Sequence, residues 1–186
     1  MVDTNSGKAG VSRRGLGRLS LATAAIAGTI GTSAQGHSNT VNNNDRLSAD
    51  DRLDIIELHA RYSWAYDCSD PEEAAATFTE DAVIDAFGAE AARGRAGIAD
   101  LIRTLYGSER GDLDWQHHNG HFIFDGNGDA CTVYNYWSLL KGNAATVEYS
   151  VRSFGYYRSE CVKVDGEWLI ARRSIDRWNR DKLPWK

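Results

Sequence analysis

Only two prolines occur in 186 residues, so little in the chain forbids long helices and strands. Cysteine is equally sparse. Cys68, Cys131 and Cys161 form neither a CxxC pair nor the spacing of a zinc-ligand set. No apolar run approaches the ~20 residues that a membrane-spanning helix needs, and nothing repeats at a fixed period. Positive charge is also short: 21 Lys and Arg stand against 26 Asp and Glu, a net charge of −5. Without a clustered basic stripe the chain lacks what phosphate backbones bind, which argues against nucleic acid as a partner, and an anionic membrane surface is no better matched. What the chain does hold is hydrophobic residues at 42%, with six Trp, eight Tyr and five Phe. That supply suits a large core or an aromatic-lined ligand cavity. The length suits one domain plus a dispensable segment.

That segment is the N-terminus. Its first 34 residues carry Lys8, Arg13, Arg14 and Arg18 against Asp3, so the remainder has a net charge of −8. Ser12-Arg13-Arg14-Gly15-Leu16-Gly17-Arg18 is followed by an apolar, small-residue stretch from Leu19 to about Ile30, then Thr32-Ser33-Ala34. A charged head, an apolar middle and a small-residue exit form a signal-peptide pattern, and the paired arginines are similar to a twin-arginine signal. Residues 1–34 are expected to be removed near Ala34 to Gly36, placing the mature protein in the periplasm or cell envelope. Residues 35–46, rich in Asn and Ser, read as a flexible lead-in. The folded domain is expected over 47–180, with a tail at 181–186.

Ser48 followed three residues later by Asp51 marks a helix start. Leu53, Ile56, Ala60 and Ser63 recur at helical spacing, with Ile55, Leu58, His59 and Tyr62 widening the apolar face, and the helix runs to about Tyr66. Asp70-Pro71 opens a second short helix reaching to near Phe78. Residues Asp81 to Phe87 read as a strand, Gly94 to Gly97 as a break, and Ile98, Leu101, Ile102 and Leu105 as a third helix stopped by Gly107. Strands follow over Gln116–Phe124, Ala130–Leu140, Val147–Val164 and Glu167 to about Trp178, with turns at Asp125-Gly126-Asn127-Gly128, Gly142-Asn143 and Asp165-Gly166. Three helices followed by antiparallel strands predict an α+β fold, a curved sheet closed by helices around a cone-shaped hollow. The three cysteines read as buried free thiols, with Cys131 and Cys161 not opposite each other.

The order of these segments is informative. Asp54-Ile55-Ile56-Glu57-Leu58 leads to Arg61-Tyr62 and Asp67. Phe78-Thr79-Glu80-Asp81-Ala82-Val83, Gly97-Ile98, His117-His118 and Asp165-Gly166-Glu167-Trp168 follow. Over residues 47–180 this resembles the SnoaL-like branch of the NTF2-like superfamily, including scytalone dehydratase, bile acid 7α-dehydratase and hexachlorocyclohexane dehydrochlorinase. The resemblance implies a cone of sheet and three helices, a homodimer or homotrimer, and chemistry with no metal and no organic cofactor. It implies a catalytic Asp at the end of the first helix, matched by Asp67, and a His on the strand after the third helix, matched by His117 with His118 as its rival. Tyr62, five residues before Asp67, matches a catalytic Tyr, and Arg177, nine residues after Trp168, a functional Arg. Where some relatives carry Asn four residues after the His, this chain has His121.

The residue types fit proton abstraction from carbon. An imidazole titrates near neutral pH, and a carboxylate beside it fixes its tautomer and stabilises its cation. Each assignment has a plainer alternative. Asp67 could cap a turn, His117 could be a strand-edge residue in water, Tyr62 a core aromatic, and Arg177 an exposed charge beside Asp176 and Arg180. By strand alternation His117, Asn119 and His121 share one face and His118 and Gly120 the other. His59 reads as a satisfied structural residue. Arg172 and Arg173 are expected to split between faces, with Arg173 opposite Arg158 unless a bulge or a neutraliser such as Glu160 intervenes. The expected function is a cofactor-independent lyase, a dehydratase or elimination enzyme acting on a hydrophobic ring-type molecule. An isomerase or cyclase with the same residues, or a non-catalytic exported ligand-binding protein, are the alternatives.

Overall fold

A computed structural model describes residues 46–105, 113–143 and 145–185. The expected signal segment, nearly all of the lead-in and the helix stop at Gly107 lie outside the described residues. Helix α1 spans Ala49–Asp67, α2 Pro71–Ala76 and α3 Gly94–Leu105. The strands are β1 Phe78–Ala86, β2 Ala89–Arg93, β3 Asp114–Asn127, β4 Ala130–Asn143, β5 Glu148–Val164 and β6 Glu167–Arg177. They form one six-stranded sheet in the order β2-β1-β6-β5-β4-β3. Among the described residues only the β1–β6 pair is parallel. The α+β architecture expected from the sequence is the one observed.

Local chemistry accounts for the element starts. Ser48 Oγ accepts the Asp51 backbone N–H at 3.0 Å and donates to the Asp51 carboxylate at 2.6 Å. Asp70 Oδ1 accepts the Glu73 N–H at 3.0 Å, and Pro71 occupies the first turn of α2, where no donor is missed. Asp51 also ties α1 to the β5–β6 hairpin, accepting from Lys163 Nζ at 2.6 Å and Trp168 Nε1 at 3.0 Å. Asp165 and Gly166 both take positive φ, 52° and 89°, as a two-residue hairpin turn demands.

The α1 stripe differs from the expected one. Leu53, Ile56 and Ala60 are exposed, whereas Ile55, Leu58, His59, Tyr62, Ser63, Ala65 and Tyr66 are buried. Two polar residues lie on the buried stripe because partners wait there, and this blurs the apolar periodicity. Gly94 begins α3 rather than breaking the chain. Phe78 belongs to β1 and is fully buried, and β2 was not anticipated. The cysteine expectation is also corrected: Cys68 is exposed, and Cys131 and Cys161 are buried directly opposite each other on β4 and β5.

Two one-residue bulges control which side chains face the helices. On β6, Glu160 pairs with Arg172 while the next β5 residue, Cys161, pairs with Ile170, which leaves Ala171 extra. Alternation flips there: Trp168 and Ile170 point inward before the bulge and Arg173 after it. Arg173 therefore sits opposite Ser159 and not Arg158, and the like-charge pair does not form. Arg158 pairs with Glu160 and the exposed Arg172 with Asp85. On β3 the register shifts between Gly120 and Ile123, with His121 at φ 59°.

Candidate active site

Asp67 is the last residue of α1, and Ser69 at φ 63° turns the chain immediately after it. His117 lies on β3, on the row facing the helices with Trp115 and Asn119. The two residues, fifty apart in sequence, meet through two bonds. The His117 backbone N–H donates to Asp67 Oδ2 at 2.7 Å, and the ring Nδ1 lies 2.6 Å from Oδ1. A carboxylate accepts only, so Nδ1 carries the hydrogen and Nε2 carries the lone pair. Little of either side chain is exposed, 9% for His117 and 13% for Asp67. A carboxylate at a helix C-terminus stands against the helix dipole. Two short hydrogen bonds offset that cost. The Tyr66 ring meets His117 edge-on, with centroids 4.7 Å apart.

Tyr62, one turn before Tyr66 on the same buried stripe, is also inside. Its hydroxyl is held above the usual phenol range, first by burial, with the nearby Arg173 charge opposing and Asp67 adding to the rise. Arg173 is the functional candidate that sequence reasoning missed. It is fully buried. Its Cζ lies 4.3 Å from the Tyr62 ring centroid, 4.7 Å from Tyr157 and 5.5 Å from Phe78. Its Nε donates to Ser159 Oγ at 3.1 Å, whereas Nη1 and Nη2 have no hydrogen-bond partner. Behind it runs a relay of neutral groups. Ser159 Oγ lies 3.3 Å from His59 Nε2, and His59 Nδ1 lies 2.9 Å from the Ile55 carbonyl. The carbonyl fixes the hydrogen on Nδ1, so the Ser159 hydroxyl donates to Nε2. Burial, and then the Arg173 charge, hold His59 down to about 3, so it is neutral. His59 is the satisfied structural residue that was expected. The only sequence signal for Arg173 was the prospective clash with Arg158.

The remaining candidates part company. The β3 bulge sends His121 outward, where it contacts Tyr136 at 5.2 Å, so His117, Asn119 and His121 do not share a face as alternation predicted. His118 is exposed on the outer side as well. Asn119 stays inside, donating to Ser63 Oγ at 2.6 Å, and Asn135 Nδ2 reaches Asn119 Oδ1 at 3.4 Å. Asn135 Oδ1 and Trp137 Nε1 are buried without partners. Arg177 lies in the same row as Arg173 but at its exposed end, 5.0 Å over the Phe87 ring. It borders an open cleft of about 830 Å³ with Phe87, Tyr156 and Trp178, and that cleft does not include the Asp67–His117 pair. A second cavity of about 490 Å³ is bordered by His118, Asn119, His121, Trp137 and Phe154, and neither Asp67 nor His117 lines it. Trp64, Phe87, Tyr149 and Phe154 are exposed, while Trp115, Trp137 and Tyr157 face the interior. Among the described residues no group of three or more His, Cys, Asp or Glu is placed to hold a metal ion, and no helix is long and apolar enough to cross a membrane.

Known proteins share this arrangement of helices and sheet. A point variant of Rv3472, a protein of unknown function from Mycobacterium tuberculosis, is 26% identical, with 73% of this chain and 75% of that chain covered and a TM-score of 0.62. A cystatin-like-fold protein of unknown function from Nostoc punctiforme is 24% identical over 76% of this chain and 99% of its own, with a TM-score of 0.63. Aln2 from a Streptomyces species is 21% identical over 70% and 93%, with a TM-score of 0.64. No curated protein matches the chain. Residues 47–174 match the SnoaL-like domain, more than half the length and nearly all of the described fold. The chain therefore belongs to the SnoaL-like domain family of the NTF2-like superfamily.

Proposed function

We propose that this protein is a cofactor-independent lyase that removes a proton from carbon and expels a hydroxyl or halide from a hydrophobic, ring-type small molecule. The observation that carries this reading is the Asp67–His117 pair, bonded at 2.6 and 2.7 Å inside an aromatic interior. His117 Nε2 takes the proton. Asp67 holds the tautomer and stabilises the imidazolium. Tyr62, kept protonated by burial, donates a hydrogen to the departing oxygen. Arg173, rather than Arg177, supplies the functional guanidinium, its free Nη1 and Nη2 binding the oxygen on which negative charge develops. Trp115, Trp137 and Tyr157 supply flat walls. The proposal includes export by the N-terminal twin-arginine-type segment. It also includes self-association, supported by the exposed aromatics Tyr136, Phe154 and Trp178.

The test uses 5-nitrobenzisoxazole, whose ring opens to a coloured phenolate when a base removes its carbon-bound proton. The wild-type chain should accelerate opening, and Asp67→Asn and His117→Ala should each lose about 10²–10⁴-fold, the share that general acid–base catalysis supplies. A wild-type rate no greater than either variant's would overturn the assignment. With a co-purified natural ligand, loss of water or hydrogen halide marks a lyase, and a product of unchanged mass marks an isomerase.

A further inference from the structure

We propose that Cys131 and Cys161 are the two halves of a cross-strand disulfide that closes when the chain meets a small-molecule disulfide oxidant. They are Cα partners in the antiparallel β4–β5 register, and both point into the core, 6% and 1% exposed. Directly opposed antiparallel residues lie about 4.5–5.5 Å apart at Cα, within the roughly 4.4–6.8 Å that a disulfide spans. Cys68, at the exposed end of α1, has no such partner position.

The two thiols already act on each other. The Cys161 side chain is the largest influence lowering the Cys131 thiol, helped by Arg52, and Cys131 is the largest influence raising the Cys161 thiol. Cys131, the more exposed of the two thiols at 6% against 1%, is the first nucleophile. Its thiolate attacks one sulfur of glutathione disulfide and expels a glutathione thiolate. The Cys161 thiolate then attacks the Cys131 sulfur of the mixed disulfide, the protein S–S bond forms, and a second glutathione leaves. The protein loses two electrons and two protons, and glutathione disulfide is reduced to two thiols.

The location gives the bond a consequence. Cys161 is the residue at which the β5–β6 register shifts, and Ser159, two residues back, pairs with Arg173. A covalent tie there fixes β5 to β4 beside the strand step that turns Arg173 inward.

The full chain is to be refolded in glutathione disulfide, denatured, alkylated with iodoacetamide and analysed by peptide mass. The expected result is a linked Cys131–Cys161 peptide two hydrogens lighter, with Cys68 alkylated, and the same in Cys68→Ala. The oxidised protein should melt higher than the reduced one, a shift absent from Cys161→Ala. Recovery of Cys131 and Cys161 both alkylated, or a link from either to Cys68, would overturn the proposal. Because the linkage is read by mass, its outcome is independent of turnover.

Discussion

A guanidinium sealed from water without a carboxylate partner is costly, several kcal/mol even after relaxation. Arg173 is held by three aromatic rings and one bond to Ser159, while two of its nitrogens have no acceptor. Such a residue is hard to explain as a stabilising device, and this yields a sharp expectation. Arg173→Met, which keeps most of the volume and removes the charge, should melt at the same temperature or higher while benzisoxazole opening falls at least tenfold. Arg173→Lys, which keeps the charge but not the fork, should recover only part of the rate. Thermal melting beside the rate assay decides it: a large drop in melting temperature with an unchanged rate would make Arg173 structural. At this scale Asp67, His117 and Tyr62 were named from the sequence through the family resemblance, which ties them to the end of the first helix, the strand after the third and a position five residues before Asp67. Arg173 was not, because nothing in Ala171-Arg172-Arg173 says which arginine turns inward.

That choice is made by an element. Ala171 is the extra residue on β6, and it flips the alternation so that Arg173 faces the helices. The extra residue on β3 near His121 does the opposite service, taking an imidazole out of the interior. Bulges carry weak sequence signals, and so the polar lining was the part misread. The turn at Asp165-Gly166 was legible because positive φ selects few residue types. Strand β2, Ala89-Glu90-Ala91-Ala92-Arg93, was not, since it contains no β-branched or aromatic residue. Strand closeness also gives a testable demand. A Cβ on Gly155 would run into the Asp176 carbonyl oxygen and lie 3.1 Å from the Trp137 ring. Gly155→Ala must push β5 from β6, and overpacking of this kind costs about 1–3 kcal/mol. Urea unfolding should show that loss, and an unaltered midpoint would mean that the two strands are further apart than described.

For the whole molecule, acid is the expected weakness. His59 is neutral when folded, held down to about 3 by burial and then by Arg173. The unfolded chain binds a proton at this residue below its ordinary value and the folded one does not. Stability is thus complete above about pH 6.5 and declines as pH falls toward 3, by up to about 1.4 kcal/mol per pH unit. Asp51 adds to this. Its bonds to Lys163, Ser48 and Trp168 hold its carboxyl well below the usual range, so its contribution is full above that range and is lost as pH falls below it. His59→Gln should be less stable at pH 7 and have a flatter stability profile between pH 6 and 4 than wild type. Urea midpoints measured across that window check it, and parallel profiles would remove His59 as the source.

The sequence by itself determined the α+β class, the order of helices and strands and the turns, whereas Asp67, His117 and Tyr62 were singled out through the family resemblance. Class, order and turns depend on local preferences and on spacing along one chain. Tertiary structure alone decided that Arg173 and not Arg177 is sealed beside Tyr62, that His121 leaves the interior, and that Cys131 faces Cys161. Each of these turns on strand register, which is a relation between segments far apart in sequence. One extra residue in one strand exchanges the two faces of everything beyond it.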